Sequence, residues 1–127
     1  MMERQSKRRP KAVLKRGDIV LVAFPFTDLT AEKLRPAVIA SADPQQTDVI
    51  IAFISSVVPP GGPSETDYLL KQDNPDFVRT GLKQTSTFRM RKLLTIERSK
   101  IVRRLGTVSP ATRRELDVRL RRAVGLR

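Results

Sequence analysis

The sequence predicts an α+β domain, in which a small strand-rich barrel or open sheet is closed by a helix at the C-terminus. Three observations support this prediction. Short runs rich in Ile, Val and Phe recur between Gly, Pro and Asp residues, a pattern typical of strands. The last segment instead repeats its apolar residues at helical spacing. The length of 127 residues is that of one domain.

The first half of the chain predicts three strands. The first, "DIVLVAFPF", ends at Pro25 or soon after it. A polar loop, Thr27–Leu34, follows, and Pro36 holds Arg35 in an extended conformation before the second strand, "PAVIAS". Asp48–Ser56 contains six consecutive apolar residues, so we expect a central strand that is buried on both faces.

The second half predicts three more strands and the helix. Pro59–Glu65, "PPGGPSE", is a surface loop, because prolines and glycines at this density exclude a helix or a central strand. The segments "TDYLLK" and "IVRRLGTV" predict short strands on either side of a longer one, Thr85–Ile96. Ser109 is the expected N-cap of the helix, Pro110 its first residue and Gly125 its stop. The predicted apolar face contains Leu116, Leu120, Ala123 and Val124.

The formal net charge of +12 is concentrated at the two ends of the chain. Residues 1–16 carry +6 and residues 98–127 carry +8, whereas residues 17–97 carry −2. A basic balance of this size favours a polyanionic partner such as nucleic acid. Residues 1–15 predict a disordered basic arm, which either attracts phosphates or is simply solvated, and residues 16–127 form the domain. For the arginines of the C-terminal helix the same two alternatives stay open: contact with RNA, or a solvated helix face.

The composition excludes several kinds of site. The chain has no His and no Cys, so it cannot build a Cys/His zinc site, a Ser-His-Asp triad or a thiol nucleophile. A metal site built from carboxylates alone stays open, but no cluster of acidic residues in the sequence supports one. We expect no cofactor and no metal. The apolar runs are shorter than the ~18 residues of a membrane span, and no long apolar stretch follows the basic N-terminus. We therefore expect neither a membrane segment nor a signal peptide, and a cytoplasmic location.

Four segments occur in a characteristic order and are followed by a helix ending in "AVGL": "KRGDIVLVAFPFTDL", "EKLRPAVIAS", "DVIIAFISS" and "TSTFRMRKLLTIERSKIVRRLGTVS". In these segments the chain resembles the MazF/PemK toxins of type II toxin–antitoxin systems. The similarity extends from about Lys15 to Leu126. The resemblance implies a barrel similar to the SH3 and CcdB folds, a symmetric homodimer, and metal-independent endoribonuclease activity on single-stranded RNA. It also implies a cognate antitoxin as the protein partner.

The resemblance assigns catalytic roles to Arg35, in the "RP" motif, and to Ser55, at the end of the following strand. In RNA, attack of the 2′-OH on the adjacent phosphate leaves a 2′,3′-cyclic phosphate and a 5′-OH. A guanidinium is a permanently charged clamp for the phosphoryl oxygens, and a hydroxyl beside it orients the 2′-OH or binds one of those oxygens. The alternatives are a surface arginine and a serine that caps local backbone. Ser56 is the alternative to Ser55, because neighbouring strand residues face opposite sides.

Four further residues are predicted to bind RNA: Arg89, Arg91, Glu32 and Thr27. For Arg89 and Arg91 the alternative is that they are ordinary surface charges on a strand. Arg91 occupies a position at which some relatives carry an Asp proposed as a base, so that base is missing here. The loop that contains Thr27 and Glu32 lacks the Gly-rich "GSEQ" of many relatives. Two other functions therefore stay open: a non-catalytic nucleic-acid-binding module, including a degenerate toxin, and a CcdB-like protein that binds gyrase.

Overall fold

The computed structural model describes residues 13–25, 32–42, 45 and 47–127. Its strands and helix are β1, Asp18–Pro25; β2, Glu32–Ala42; β3, Asp48–Ser55; β4, Asp67–Leu70; β5, Ser86–Glu97; β6, Ile101–Thr107; and α1, Pro110–Val124. Two short 3₁₀ helices, Val78–Thr80 and Arg98–Lys100, precede β5 and β6. Most of the predicted basic arm, residues 1–12, lies outside the described residues, as does Thr27.

The six strands form one antiparallel sheet in the order β4-β5-β3-β2-β1-β6. The 3₁₀ helix Arg98–Lys100 is the whole connection from β5 to β6, although three strands separate these two in the sheet. The sheet must therefore curl strongly. Within the described part of the chain no pairing joins β6 to β4 or β5, so the sheet is curled but open. The predicted α+β class with a C-terminal helix is confirmed, and "barrel" describes only the curvature.

Apolar clusters lie on both faces of the sheet. The cluster under the helix includes Ile54 of β3 and Leu116 of α1, and the cluster on the other face includes Ile51 of β3. Because β3 contributes to both clusters, its predicted burial on two faces is confirmed. Leu14 is only 7% exposed and belongs to the second cluster, so the core begins within the segment that the sequence placed in the basic arm.

The start of β2 differs from the prediction. β2 begins at Glu32, whereas the sequence predicted a loop up to Leu34 and a strand from Pro36 onwards. Pairing with β1 extends β2 in this direction. Pairing with β3 stops at Ala37 and Phe53, one residue away from Pro36, which has no N–H to donate to a neighbouring strand. Beyond that point β2 continues to pair with β1 and separates from β3.

The helix α1 has the predicted N-cap, and a left-handed glycine ends it as predicted. The Ser109 hydroxyl accepts the N–H of Thr112 at 3.0 Å and donates to the Asp76 carboxylate at 2.6 Å. This places a negative charge at the N-terminus of the helix, where the helix dipole favours it. Leu116 is buried as predicted, but Val124 is 49% exposed and does not belong to the core. No helix within the described ranges is long and apolar enough to cross a membrane.

Candidate active site

Arg35 and Ser55 lie where β2 and β3 separate. The last β2–β3 pair joins Ala37 to Phe53. Two residues further along the same antiparallel register, Arg35 is the position on β2 that corresponds to Ser55 on β3. Side chains two residues apart on a strand share a face. The side chains of Arg35 and Ser55 therefore lie on the same face of the sheet as Ala37 and Phe53. The two predicted catalytic residues are neighbours on this face.

Two cavities meet at this point. The smaller has a volume of about 330 Å³ and the larger about 500 Å³. Both are lined by the same four residues at the separation of β2 and β3, namely Arg35, Pro36, Ile54 and Ser55. The smaller cavity adds the rings of Phe24 and Phe53, which pack edge to face with their centroids 5.2 Å apart. A chain that passes from one cavity to the other would cross the predicted catalytic pair.

All charged side chains among the described residues that line these cavities are cationic. Arg35, Arg89 and Lys92 line the smaller cavity, and Lys83 and Arg103 join Arg35 in the larger one. Four of the five come from residues 17–97, a segment whose net charge is −2. The fold therefore brings the basic residues of this segment together around the cavities, although the segment as a whole is slightly acidic. Such a concave cationic surface attracts phosphates.

Ser55 is held by a local turn. Its Oγ accepts the N–H of Val57 at 3.0 Å and donates to the carbonyl oxygen of the same residue at 3.3 Å. The alternative role of capping local backbone is therefore present in the structure. It is compatible with a role in the cavity, because the turn fixes the position of Oγ and a hydroxyl accepts two hydrogen bonds. Ser55 lines both cavities, whereas Ser56 lines only the larger.

Arg89 joins the predicted pair from β5. It lies opposite Phe53 on β3 and opposite Asp67 on β4. Its Nε is 3.4 Å from Oδ1 of Asp67, and the side chain is 33% exposed. Since Arg89 also lines the smaller cavity, the structure places three of the residues predicted from the sequence, Arg35, Ser55 and Arg89, around one space.

Arg91 is a predicted RNA-binding residue that the described structure leaves outside the two cavities. β5 has a bulge at residues 90–92, where three of its residues fall between consecutive pairs with β3. Arg91 is exposed in this bulge and lines neither cavity, whereas Lys92, which the sequence did not single out, lines the smaller one. Glu32 begins β2, and Thr27 lies outside the described residues. The described residues include no group of His, Cys, Asp or Glu that could hold a metal ion.

Comparison with known families identifies the family of this chain. The family model described as "PemK-like, MazF-like toxin of type II toxin-antitoxin system" matches residues 15–124. The chain belongs to this toxin family. The matched range includes all six strands and the helix, and it therefore includes every residue of the two cavities. Among curated proteins, no sequence matches the chain.

Several solved structures have the same fold. An endoribonuclease in complex with its cognate antitoxin, from a mycobacterial species, is 18% identical, with a TM-score of 0.69 over 89% of this chain and 96% of that one. Mycobacterium tuberculosis toxin MazF-mt6 is 22% identical, with a TM-score of 0.68 over 87% and 98%. MazE-MazF from Deinococcus radiodurans is 15% identical, with a TM-score of 0.69 over 91% and 100%.

The described residues that line the cavities offer guanidinium, ammonium and hydroxyl groups. The described lining of the cavities contains no carboxylate, and the sequence contains no imidazole. The site can therefore bind a phosphodiester, neutralise charge that develops on its oxygens and orient a hydroxyl.

Proposed function

We propose that this toxin is a metal-independent endoribonuclease that cleaves single-stranded RNA in the cytoplasm. Family membership supports the activity class. The observation that carries the proposal is the convergence of Arg35 and Ser55 at the meeting point of two cavities whose charged lining is entirely cationic among the described residues. RNA supplies the nucleophile itself, so the protein needs only to position the phosphodiester and stabilise the transition state.

In the proposed reaction, the 2′-oxygen forms a bond to the adjacent phosphorus while the bond from phosphorus to the 5′-oxygen breaks. The products are a 2′,3′-cyclic phosphate and a 5′-OH. Arg35 binds the non-bridging oxygens and stabilises their increased negative charge. The Ser55 hydroxyl orients the 2′-OH. Water accepts the 2′-proton and protonates the leaving 5′-oxygen, and Arg89 and Lys92 bind a neighbouring phosphate.

The proposed activity is tested with a labelled single-stranded RNA in excess EDTA. We expect cleavage, with fragments that mass spectrometry identifies as 2′,3′-cyclic phosphates and 5′-hydroxyls. The same oligonucleotide with one 2′-deoxynucleotide at the cleaved position should stay intact, because it lacks the attacking oxygen. Purified Arg35→Ala protein serves as the control for contaminating nucleases. Intact RNA with folded wild-type protein, or cleavage of the deoxy substrate at the same bond, would contradict the proposal.

The two serines at the end of β3 should differ in their contribution. Ser55→Ala is expected to lower kcat by about 10- to 100-fold, since Ser55 orients the attacking 2′-OH and water can replace part of its effect. Ser56→Ala should change kcat by less than about threefold, because Ser56 lines only the larger cavity. Single-turnover cleavage of the same RNA measures both values. Equal losses in the two variants would contradict the assignment of Ser55.

We also propose that the partners of this toxin are a cognate antitoxin and a second copy of the chain. The mycobacterial endoribonuclease is in complex with its cognate antitoxin, and the Deinococcus structure is of MazE-MazF. An acidic antitoxin segment would complement the cationic cavities and compete there with RNA. Purified antitoxin, encoded beside the toxin, should therefore inhibit cleavage at a stoichiometric ratio.

A further inference from the structure

A buried carboxylate lies behind Arg89. Asp67, the first residue of β4, has a side chain that is only 3% exposed. Its Oδ2 accepts the backbone N–H of Ser64 at 3.0 Å, and its Oδ1 lies 3.4 Å from Nε of Arg89. That Nε is itself buried and has no hydrogen bond of normal geometry. The Asp67 carboxylate is thus the charge that compensates a buried donor of the arginine.

Helix α1 fixes the position of Asp67. Nε of Arg119 donates to the main-chain carbonyl oxygen of Asp67 at 2.8 Å. The Arg119 guanidinium also pairs with Glu115 at 2.7 Å, and it lies over the ring of Tyr68 with 5.1 Å between its Cζ and the ring centroid. Three contacts therefore hold Arg119 in place. Through Arg119, the helix ties down the start of β4 at the residue whose carboxylate meets Arg89.

We infer that Asp67 is a positioning residue for Arg89, and that this pair forms a phosphate subsite beside the catalytic pair. The inference rests on the proposed nuclease function. Nε of Arg89 is buried against Asp67, so the exposed part of the side chain does not include Nε. The two terminal nitrogens of the guanidinium are therefore the donors that can bind a ligand. An arginine that is held in its binding conformation before RNA arrives loses less conformational freedom on binding.

Removing the negative charge of Asp67 distinguishes two roles for this residue: positioning of Arg89 and a general effect on the electrostatic attraction of RNA. Asp67→Asn raises the net charge of the protein by one, so long-range attraction alone predicts tighter RNA binding. Loss of positioning predicts weaker binding. Asp73→Asn makes the same charge change at an exposed carboxylate, and it is the matched control. In Asp67→Asn the remaining side-chain oxygen can still accept the N–H of Ser64.

The binding test uses a fluorescent single-stranded oligonucleotide with 2′-O-methyl groups, which the proposed reaction cannot cleave. Asp67→Asn is expected to raise its Kd about three- to tenfold, whereas Asp73→Asn should leave it equal or slightly lower. In an Arg89→Ala background, Asp67→Asn should cause no additional loss, because the arginine through which it acts is gone. With cleavable RNA, KM should rise by the same factor while kcat changes little.

Two further measurements keep the inference testable if Asp67→Asn folds poorly. Arg89→Lys leaves the buried carboxylate intact but removes Nε and the planar fork, so it should weaken binding about as much. In the wild type, the ¹⁵N–¹H signal of the Arg89 Nε should be resolved and should disappear in Arg89→Lys. Wild-type affinity in both Asp67→Asn and Arg89→Lys would overturn the inference, as would losses that multiply in the double variant. Failure of wild-type protein to cleave RNA that it binds would contradict the proposed function alone.

Discussion

Replacing Arg35 with Ala is expected to lower kcat for RNA cleavage by about 10³-fold. In the proposed transition state, negative charge accumulates on the non-bridging oxygens. Arg35 is the cation shared by both cavities, at the point where they meet beside Ser55. The loss should appear in kcat more than in KM, because Arg89 and Lys92 still bind neighbouring phosphates. Single-turnover cleavage of a short RNA measures this difference.

Two variants make the test of Arg35 specific. Arg35→Lys keeps the charge but loses the two-pronged geometry, so it should retain part of the activity and lose about 10- to 100-fold. Arg114→Ala removes the same charge from the exposed face of α1, away from the residues that line the cavities. It should lower cleavage by less than about threefold at moderate salt, because exposed charges separated by more than ~10 Å are largely screened. If Arg35→Ala and Arg114→Ala lose activity equally, Arg35 acts only through net charge.

The elements of this fold could be predicted from the sequence because their signals are local. Short runs of apolar residues, breakers such as Pro59 and the caps Ser109 and Gly125 each depend on a few neighbouring residues, and the structure confirms the six strands and the helix. The order of the strands in the sheet is not a local property. Neither the position of β1 between β2 and β6 nor the early start of β2 at Glu32 could be predicted, because both depend on pairing between distant segments.

The candidate site was predictable only in part for a similar reason. The resemblance to MazF/PemK toxins identified Arg35 and Ser55 as a pair, and the register of β2 and β3 brings them together. Lys92 was missed because the bulge in β5 changes the alternation of side chains, and the run Thr85–Ile96 contains no Gly or Pro that would signal it. Asp67 was missed because its contact with Arg89 joins two strands whose pairing has no sequence signal.

The positive charge of the chain also has a different meaning in three dimensions. Along the sequence, the basic residues lie at the two ends, and the middle segment that contains Arg35 and Ser55 is slightly acidic. In the folded protein, cations of that segment line the cavities, while one of its acids, Asp67, is buried behind Arg89. The net charge of the segment therefore underestimates the attraction of its site for phosphate.

Gly106→Ala is expected to lower the free energy of unfolding by about 3 kcal/mol. Gly106 lies in β6, where the backbone passes directly against the 3₁₀ helix that precedes β5. A Cβ on Gly106 would overlap the carbonyl groups of Arg79 and Thr80, and a Cβ on Gly81 would overlap the carbonyl group of Leu105. All of these contacts are with backbone, so no side-chain rotation relieves them. One backbone would have to move away from the other.

Urea denaturation of Gly106→Ala, Gly81→Ala and Gly62→Ala measures how much each substitution lowers the free energy of unfolding. Gly62 has a φ of +89° and no atom within 4 Å of an added Cβ, so its substitution reports left-handed backbone strain alone, about 1 kcal/mol. Gly81→Ala combines that strain with overlap and should be the least stable of the three, since Gly81 has a φ of +76°.

Gly81 also lines the larger cavity beside Lys83 and Leu105. Any folded Gly106→Ala protein should therefore bind RNA more weakly as well, whereas Gly62→Ala should bind normally. Equal stability of Gly106→Ala and Gly62→Ala would show that the two backbones are not in contact in solution.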